Sequence, residues 1–285
     1  MAVVPLQANV IRQISSAQIV SSISSVVKEL MENAIDAGAN CIDVKLDNYG
    51  LDRIEVTDNG SGISHQNAPL VCLPSHTSKI SSLHDLERLA SYGFRGEALS
   101  AICAVAQVTI VTRSKDDELA MAYTYDSNGK VSESRMAHRG KGTVICATGL
   151  FKSLPVRKQI MSKNKKAQEE LRNVEQAVKS LAVIHPNLRV TLAHNKCLIW
   201  QKTSVANLKL AFLQVASSAV VKNLDLLDYK NEEEKILRIV KDQLLKYYNN
   251  PLTESNVEIT KNFFLQKEIW TVMVLKQKNG GLKAM

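Results

Sequence analysis

The sequence predicts an α+β fold in which helices cover one face of a mostly antiparallel, mixed sheet. Three observations carry that expectation. Residues 24–37 place apolar side chains at the helical period. Strand-like alternation recurs at 41–46, 53–57, 108–112, 120–126, 131–135, 142–147, 188–193 and 196–201. Turn chemistry joins neighbouring strands, most clearly Asn128-Gly129.

The 285 residues, 45% of them hydrophobic, suffice for one large or two modest cores. Basic residues outnumber acidic ones 36 to 28, for a net charge of +8, which favours an anionic partner. Cys41, Cys72, Cys103, Cys146 and Cys197 are widely spaced and form no C-x-x-C pair, so neither a disulfide framework nor a zinc site is expected. Residues 1–15 hold no charged segment leading into a long apolar run, and no apolar stretch reaches membrane-spanning length, so neither secretion nor a membrane partner is expected.

In chain order, residues 1–14 read as an irregular arm that must dock on something, with Ser15 or Ser16 capping a short helix begun at 17–20. The helix at 24–37 buries Val26, Val27, Leu30, Met31, Ala34 and Ile35, while Glu29, Asn33 and Asp36 fall on one polar stripe. A carboxylate and a carboxamide one turn apart can share a site: Glu29 can accept a proton from water, and the Asn33 oxygen can ligate Mg²⁺ beside substrate phosphates. By itself such a stripe is more often a solvated helix face. Gly38 ends the helix, and the hairpin that follows runs into Asp58-Asn59-Gly60-Ser61-Gly62, where an acceptor-only carboxylate suits an exocyclic amine and Gly60 and Gly62 permit close approach. Alone, this is a common turn.

Residues 74–91 are polar and weakly periodic, with a short charged helix near 83–89, and read as a mobile cover. Gly93-Phe94-Arg95-Gly96-Glu97-Ala98-Leu99 opens the helix 100–106, the arrangement that aims backbone N–H groups at phosphate; a flexible loop with a helix cap fits equally well. Thr143, at the start of the strand 142–147, can join a network beside Asp58, or be a strand threonine only. Around the break at Pro155, Lys152, Arg157, Lys158, Lys163, Lys165 and Lys166 crowd a segment whose basic residues have no interleaved aromatics, which suits phosphate backbones or a solvated loop. A helix at 169–182 and a strand pair turning at His194-Asn195 follow. Further on, helices are expected at 207–213 and 235–248, a strand at 269–275 and a frayed tail at 276–285.

Glu29-x-x-x-Asn33, the D-x-G-x-G at 58–62, Thr77-Ser78-Lys79, GFRGEAL at 93–99 and Gly142-Thr143 occur in this order within about 120 residues. Together they resemble the GHKL, or Bergerat-type, ATPase fold shared by gyrase B subunits, large heat-shock chaperones, sensor histidine kinases and MutL. SVVKELMENAIDAGA, GFRGEALSAI, FKSLPVRKQ and the HNK before Trp200 are similar to the MutL mismatch-repair family, and NYGLDRIEVTDNGSGI with LPVRKQ to its eukaryotic PMS-type, PMS1-like branch. The resemblance implies an arm at 1–20, a GHKL ATPase domain at 21–202, and at 203–285 an incomplete ribosomal-S5-domain-2-like α/β subdomain with a divergent tail.

It further implies ATP and Mg²⁺ as cofactors, Glu29 as the base that activates water and Asn33 as metal ligand. Asp58, Gly60, Gly62 and Thr143 would hold adenine, Thr77, Ser78 and Lys79 would lie at the lid, and Arg95, Gly96, Glu97, Ala98 and Leu99 would wrap the phosphates. ATP would order lid and arm, dimerisation would follow, and hydrolysis would reverse it. The implied partners are DNA, through Arg157, Lys158, Lys163, Lys165 and Lys166, a MutL-homologue subunit in a heterodimer, and MutS-type recognition complexes, all in the nucleus. The chain departs from the family after Leu213, where neither its N-G-R-x-V-like strand nor its proline-lysine element is found, and where a C-terminal dimerisation region is absent. A shortened product with slow or no turnover is therefore expected, a non-enzymatic ATP-binding scaffold being the alternative. A histidine-kinase-type phosphotransferase is disfavoured, since no phosphoacceptor-bearing helical domain precedes the fold.

Overall fold

The computed structural model describes residues 7–80, 85, 91–215, 224–228, 271–276 and 282–284. They fall into two compact units, residues 1–80 with 91–206, and residues 81–90 with 207–285.

The first unit begins with helix α1, Ala8–Ile19, and helix α2, Ile23–Asp36. α1 is a difference from the expected irregular arm. Twelve residues are helical, and Arg12 tethers the helix by donating to Ser100 Oγ at 3.2 Å and Asn128 Oδ1 at 3.4 Å. Neither Ser15 nor Ser16 caps a helix; Ser22 does, in a reciprocal box with Ser25 at the head of α2. The buried carboxylate of Glu170 also accepts the Ile23 N–H at 3.1 Å, placing negative charge at the positive end of α2.

The strands are β1, Cys41–Asp47; β2, Arg53–Asp58; β3, Gln107–Arg113; β4, Ala120–Tyr125; β5, Val131–Ala137; β6, Gly142–Thr148; β7, Arg189–His194; and β8, Cys197–Lys202. They form one eight-stranded sheet in the order β5-β4-β3-β6-β2-β1-β7-β8. Only β1 with β7 is parallel, and the crossover between them contains helices α3, Ala98–Val105, α4, Pro155–Met161, and α5, Asn164–Ile184. The mixed, mostly antiparallel α+β architecture is therefore as the sequence predicts.

Alternation explains which face is covered. On β1, Ile42, Val44 and Leu46 are buried while Cys41, Asp43, Lys45 and Asp47 are not. The buried set meets Val26, Val27, Leu30 and Met31 of α2 and Val174, Val178 and Leu181 of α5 in one core. Between β1 and β2 the chain turns through Asn48 and Tyr49, both with positive φ, and Gly50 at φ 94°. A Cβ on Gly50 would lie 2.6 Å from Ile23, so the turn packs directly under the start of α2.

Two further elements of the first unit differ from expectation. The segment after Pro155 is the helix α4 and not a loop, with Pro155 at its start, where its missing N–H is no cost. The β7–β8 turn falls on Asn195 and Lys196, one residue later than predicted, because these two residues carry the positive φ values of 49° and 66°.

In the second unit, Asn207 caps helix α6, Leu208–Leu213, accepting the Leu210 N–H at 2.9 Å. Strands β9, Leu224–Asp228, β10, Thr271–Lys276, and β11, Leu282–Ala284, form an antiparallel sheet in the order β11-β10-β9. β11 lies in the stretch expected to be a frayed tail. The helices expected at 83–89 and 235–248 lie outside the described residues, Asp85 excepted.

Candidate active site

α2 presents its polar stripe to a cleft of about 390 Å³. Glu29 and Asn33 line it, as do Thr77, Ser78 and Lys79 and the whole of 93–99. Thus the catalytic candidate, the metal-ligand candidate and two of the predicted loops share one cavity, of a size suited to a small-molecule ligand.

Glu29 is half-buried. Burial, with help from neighbouring Glu32, raises its carboxyl pKa above the usual value, and Lys28, Lys79 and Arg95 oppose the rise. One turn on, Asn33 Oδ1 accepts from the Lys79 ammonium at 2.9 Å. Lys79 also bonds Asp36 Oδ2 at 2.6 Å. Asp36 is the junction of this region: its carboxylate additionally accepts Tyr92 N–H at 2.9 Å and Gly93 N–H at 3.1 Å, pinning the entry of the 93–99 loop to α2. Gly93 lies so close that an added Cβ would sit 3.0 Å from the Lys79 ammonium and 3.5 Å from Asn33 Oδ1.

The loop has its own supports. Thr77 Oγ1 accepts Lys79 N–H at 3.1 Å, and Glu97 accepts from the backbone N–H and the hydroxyl of Ser75 at 3.0 and 2.9 Å. Gly96 has φ 64°, and a Cβ there would lie 2.3 Å from the His76 carbonyl, so this position needs glycine on two counts. The Arg95 guanidinium is exposed and lies 5.4 Å from the Phe94 ring centroid. Ala98 and Leu99 form the first turn of α3.

Asp58 and Thr143 are a second cluster. They are register partners at the ends of β2 and β6, both buried, and neither lines the cleft. Asp58 Oδ1 accepts Gly60 N–H at 2.8 Å; burial raises its carboxyl pKa, while N–H donation by Gly60 and Thr143 and the charge of Arg139 counter the rise. Thr143 Oγ1 lies 3.3 Å from Thr112 Oγ1, which accepts Ile63 N–H at 2.8 Å. The close approach that the two glycines allow is to the protein's own backbone: a Cβ on Gly60 would meet the Ala37 carbonyl at 2.8 Å, and one on Gly62 the Arg113 carbonyl at 2.1 Å. Because Ser61 N–H also donates to that Ala37 carbonyl, at 2.8 Å, the turn carrying Asp58 is fastened to the C-terminal end of α2, one turn past Asn33. Both clusters are therefore registered along a single helix.

The five cationic candidates diverge. Arg157 donates to the carbonyls of Ala17 and Val20 at 2.7 and 3.0 Å and stacks on Phe151, so it secures the end of α1. Lys166 pairs with Glu169 at 3.0 Å and Glu170 at 3.5 Å. Lys158, Lys163 and Lys165 are exposed.

A family model described as histidine kinase-, DNA gyrase B- and HSP90-like ATPase matches residues 20–141. A crystal structure of the N-terminal domain of a DNA repair protein superposes with TM-score 0.67 at 28% identity, covering 80% of this chain and 68% of that one. The Aquifex aeolicus MutL ATPase domain complexed with ADP superposes with TM-score 0.53 at 25% identity, covering 67% of each chain. PMS1 protein homolog 1 of Homo sapiens is 46% identical over 231 residues, which is 81% of this chain and 25% of that protein. The chain belongs to the MutL family, in its PMS1-like branch. It spans about a quarter of the length of that curated relative.

In this MutL-family chain, three residues of the site escape a reading by motif. Asp36 is visible on the polar stripe, but its partners are 43 to 57 residues away. Tyr92, whose hydroxyl lies 2.8 Å from His185 Nε2 at the end of α5, precedes the glycine-rich loop without belonging to its signature. Arg139, in the β5–β6 connection, donates through Nη2 to the backbone carbonyls of Asp58 and Thr143. No local spacing signals these three, because each acts across the fold.

Proposed function

We propose that this chain binds and hydrolyses ATP as the nucleotide-switched module of a MutL-type mismatch repair protein, with the module at 21–202, a docking arm at 1–20 and an incomplete second subdomain with a tail at 203–285. The observation that carries the reading is the convergence of Glu29, Asn33 and the 77–79 and 93–99 loops on one cleft, with Asp58 tied to the far end of the same helix. Asp58 would accept from the exocyclic amine of adenine, with Thr143, Gly60 and Gly62 shaping that end, and the N–H groups of 95–99 would face the phosphates.

The donors fit a hard divalent cation. Asn33 Oδ1 and Asp36 Oδ2 already hold a positive charge between them in the form of the Lys79 ammonium, at 2.9 and 2.6 Å. Asn33 would hold Mg²⁺, which when bound screens the triphosphate charge. Glu29 would take the proton of the water that attacks the terminal phosphorus, with ADP leaving. Its raised pKa strengthens it as a base and moves the acid limb of the rate profile upward. Turnover would be slow, because the family's proline-lysine element has no counterpart after Leu213.

Binding would order lid and arm and promote pairing with a MutL-homologue subunit, working on DNA with MutS-type complexes in the nucleus. For DNA, the exposed Lys158, Lys163 and Lys165 are the stronger candidates, since Arg157 and Lys166 are engaged within the fold. The test is ATP affinity with and without Mg²⁺, followed by turnover, for the wild type and Glu29→Ala. Retained binding with lost turnover supports the assignment; parental turnover in Glu29→Ala refutes it.

A further inference from the structure

Arg139 sits at the corner where the end of β2 meets the start of β6. Arg139 is half-buried, in a connection otherwise exposed at His138, Gly140 and Lys141. One guanidinium nitrogen, Nη2, reaches two backbone carbonyls at once, those of Asp58 and, at 2.9 Å, of Thr143. Asp58 and Thr143 are paired residues at the last rungs of the β2–β6 ladder. Gly142 makes the approach possible: it has φ 120°, and a Cβ there would lie 2.3 Å from the Asp58 carbonyl. The Nε–H of Arg139 is buried and has no acceptor among the described residues.

We propose that Arg139 is a positioning residue for base recognition: its guanidinium clamps the two strand ends that present Asp58 and Thr143, and its charge keeps the Asp58 side chain an acceptor. The inference rests on the reading of Asp58 as the adenine contact.

A donor shared between two carbonyls fixes the spacing of the residues that carry them, and a cationic donor makes each bond stronger than a neutral one would be. Electrostatically, the burial of Asp58 favours its neutral form. What opposes this is the N–H groups of Gly60 and Thr143 and the Arg139 charge. The other charged groups at this corner are Glu55 on β2, which faces Arg139 and also pairs with Lys45 at 3.0 Å and with Arg53, the exposed Lys141 of the same connection, and Arg113 on β3, the register partner of Gly142. Removing Arg139 therefore leaves Asp58 more readily protonated. A protonated carboxyl keeps one acceptor oxygen but gains a donor and loses its charge, so it binds an amine donor less well.

The experiment compares ADP and inorganic tripolyphosphate as ligands of the full chain across pH 5.5 to 8.5, tripolyphosphate being read by competition with ADP. For Arg139→Met, ADP affinity should fall at least severalfold at pH 5.5, where protonation of Asp58 competes most, and by less at pH 8.5. Tripolyphosphate affinity should stay as in the wild type. Arg139→Gln, which keeps a donor without the charge, should show the same displacement of the pH midpoint with a smaller loss at high pH; Arg139→Lys should restore both. Equal losses for both ligands, or a pH profile unchanged in Arg139→Met, overturn the inference. Asp58→Asn separates it from the reading beneath: if that variant binds ADP normally, the adenine assignment itself is wrong, whereas a weakened Asp58→Asn beside an unaffected Arg139→Met removes only the role of Arg139.

Discussion

Replacing Asp36 by alanine removes the junction between α2 and the loop that enters the cleft. The carboxylate is 7% exposed and receives Lys79 at 2.6 Å, Tyr92 N–H at 2.9 Å and Gly93 N–H at 3.1 Å. A hydrogen bond to a charged acceptor contributes about 1.5–3 kcal/mol, and two backbone donors lose theirs together, though the released loop recovers water. Lys79, whose side chain is 24% exposed, can swing outward, so its loss costs less than that of a fully buried ion pair. The net weakening of loop docking is then about 2–4 kcal/mol, or roughly 30- to 1,000-fold in the docked-to-undocked ratio. Hydrogen exchange at the Tyr92 and Gly93 amides reads this directly: both should accelerate by at least about 30-fold, while Val56 on β2 should not change. Exchange at Tyr92 and Gly93 within threefold of the wild type would show that Asp36 does not hold the loop. Asp36→Asn, which keeps one acceptor oxygen without the charge, should fall between.

Other perturbations have different signatures. Glu29→Gln should raise the thermal midpoint at neutral pH. A carboxyl whose pKa is raised on folding binds more protons folded than unfolded, so its contribution to stability falls as pH rises through that window, and a neutral amide removes the loss; a lowered midpoint would contradict the desolvation argument. Arg157→Ala should lower stability by roughly 1–3 kcal/mol by leaving the Ala17 and Val20 carbonyls without their donor, seen in denaturant unfolding, and should hardly change the salt dependence of DNA binding. Replacing Lys163 and Lys165 together by alanine should instead lower the slope of log affinity against log salt by about 2, with unchanged unfolding. Gly62→Ala should destabilise the first unit by more than about 2 kcal/mol, since φ is 75° and the new Cβ would overlap the Arg113 carbonyl; a well-folded variant of parental stability would refute that packing.

The sheet and its helical cover were legible because their signals are local. β1 and β2 alternate cleanly, α2 and α5 carry apolar stripes, and Asn128-Gly129 marks its hairpin with Gly129 at φ 77°. α1 was not, because Ile11 and Ile14 remain half-exposed and the helix is held by Arg12 reaching Ser100 and Asn128, partners far away in the sequence. Pro155 reads as a breaker in one dimension and as a helix start in three. Within the site, the polar stripe of Glu29, Asn33 and Asp36 could be drawn from periodicity alone. That Lys79 would bridge Asn33 and Asp36, or that Arg139 would join Asp58 to Thr143, depends on partners that only the folded chain brings together. The basic segment shows the converse: its charges are evident in sequence, but Arg157 and Lys166 turn out to be bound within the protein.

The most direct test is calorimetric titration of Mg²⁺ and ATP into the wild type, Asn33→Ala and Asp58→Asn at one pH and salt. If the cleft and the β2–β6 corner serve one ligand, the wild type binds, Asn33→Ala loses the magnesium-dependent part of the affinity, and Asp58→Asn loses affinity with or without the metal. Binding of equal strength and equal metal dependence in all three proteins would contradict a nucleotide site built along α2.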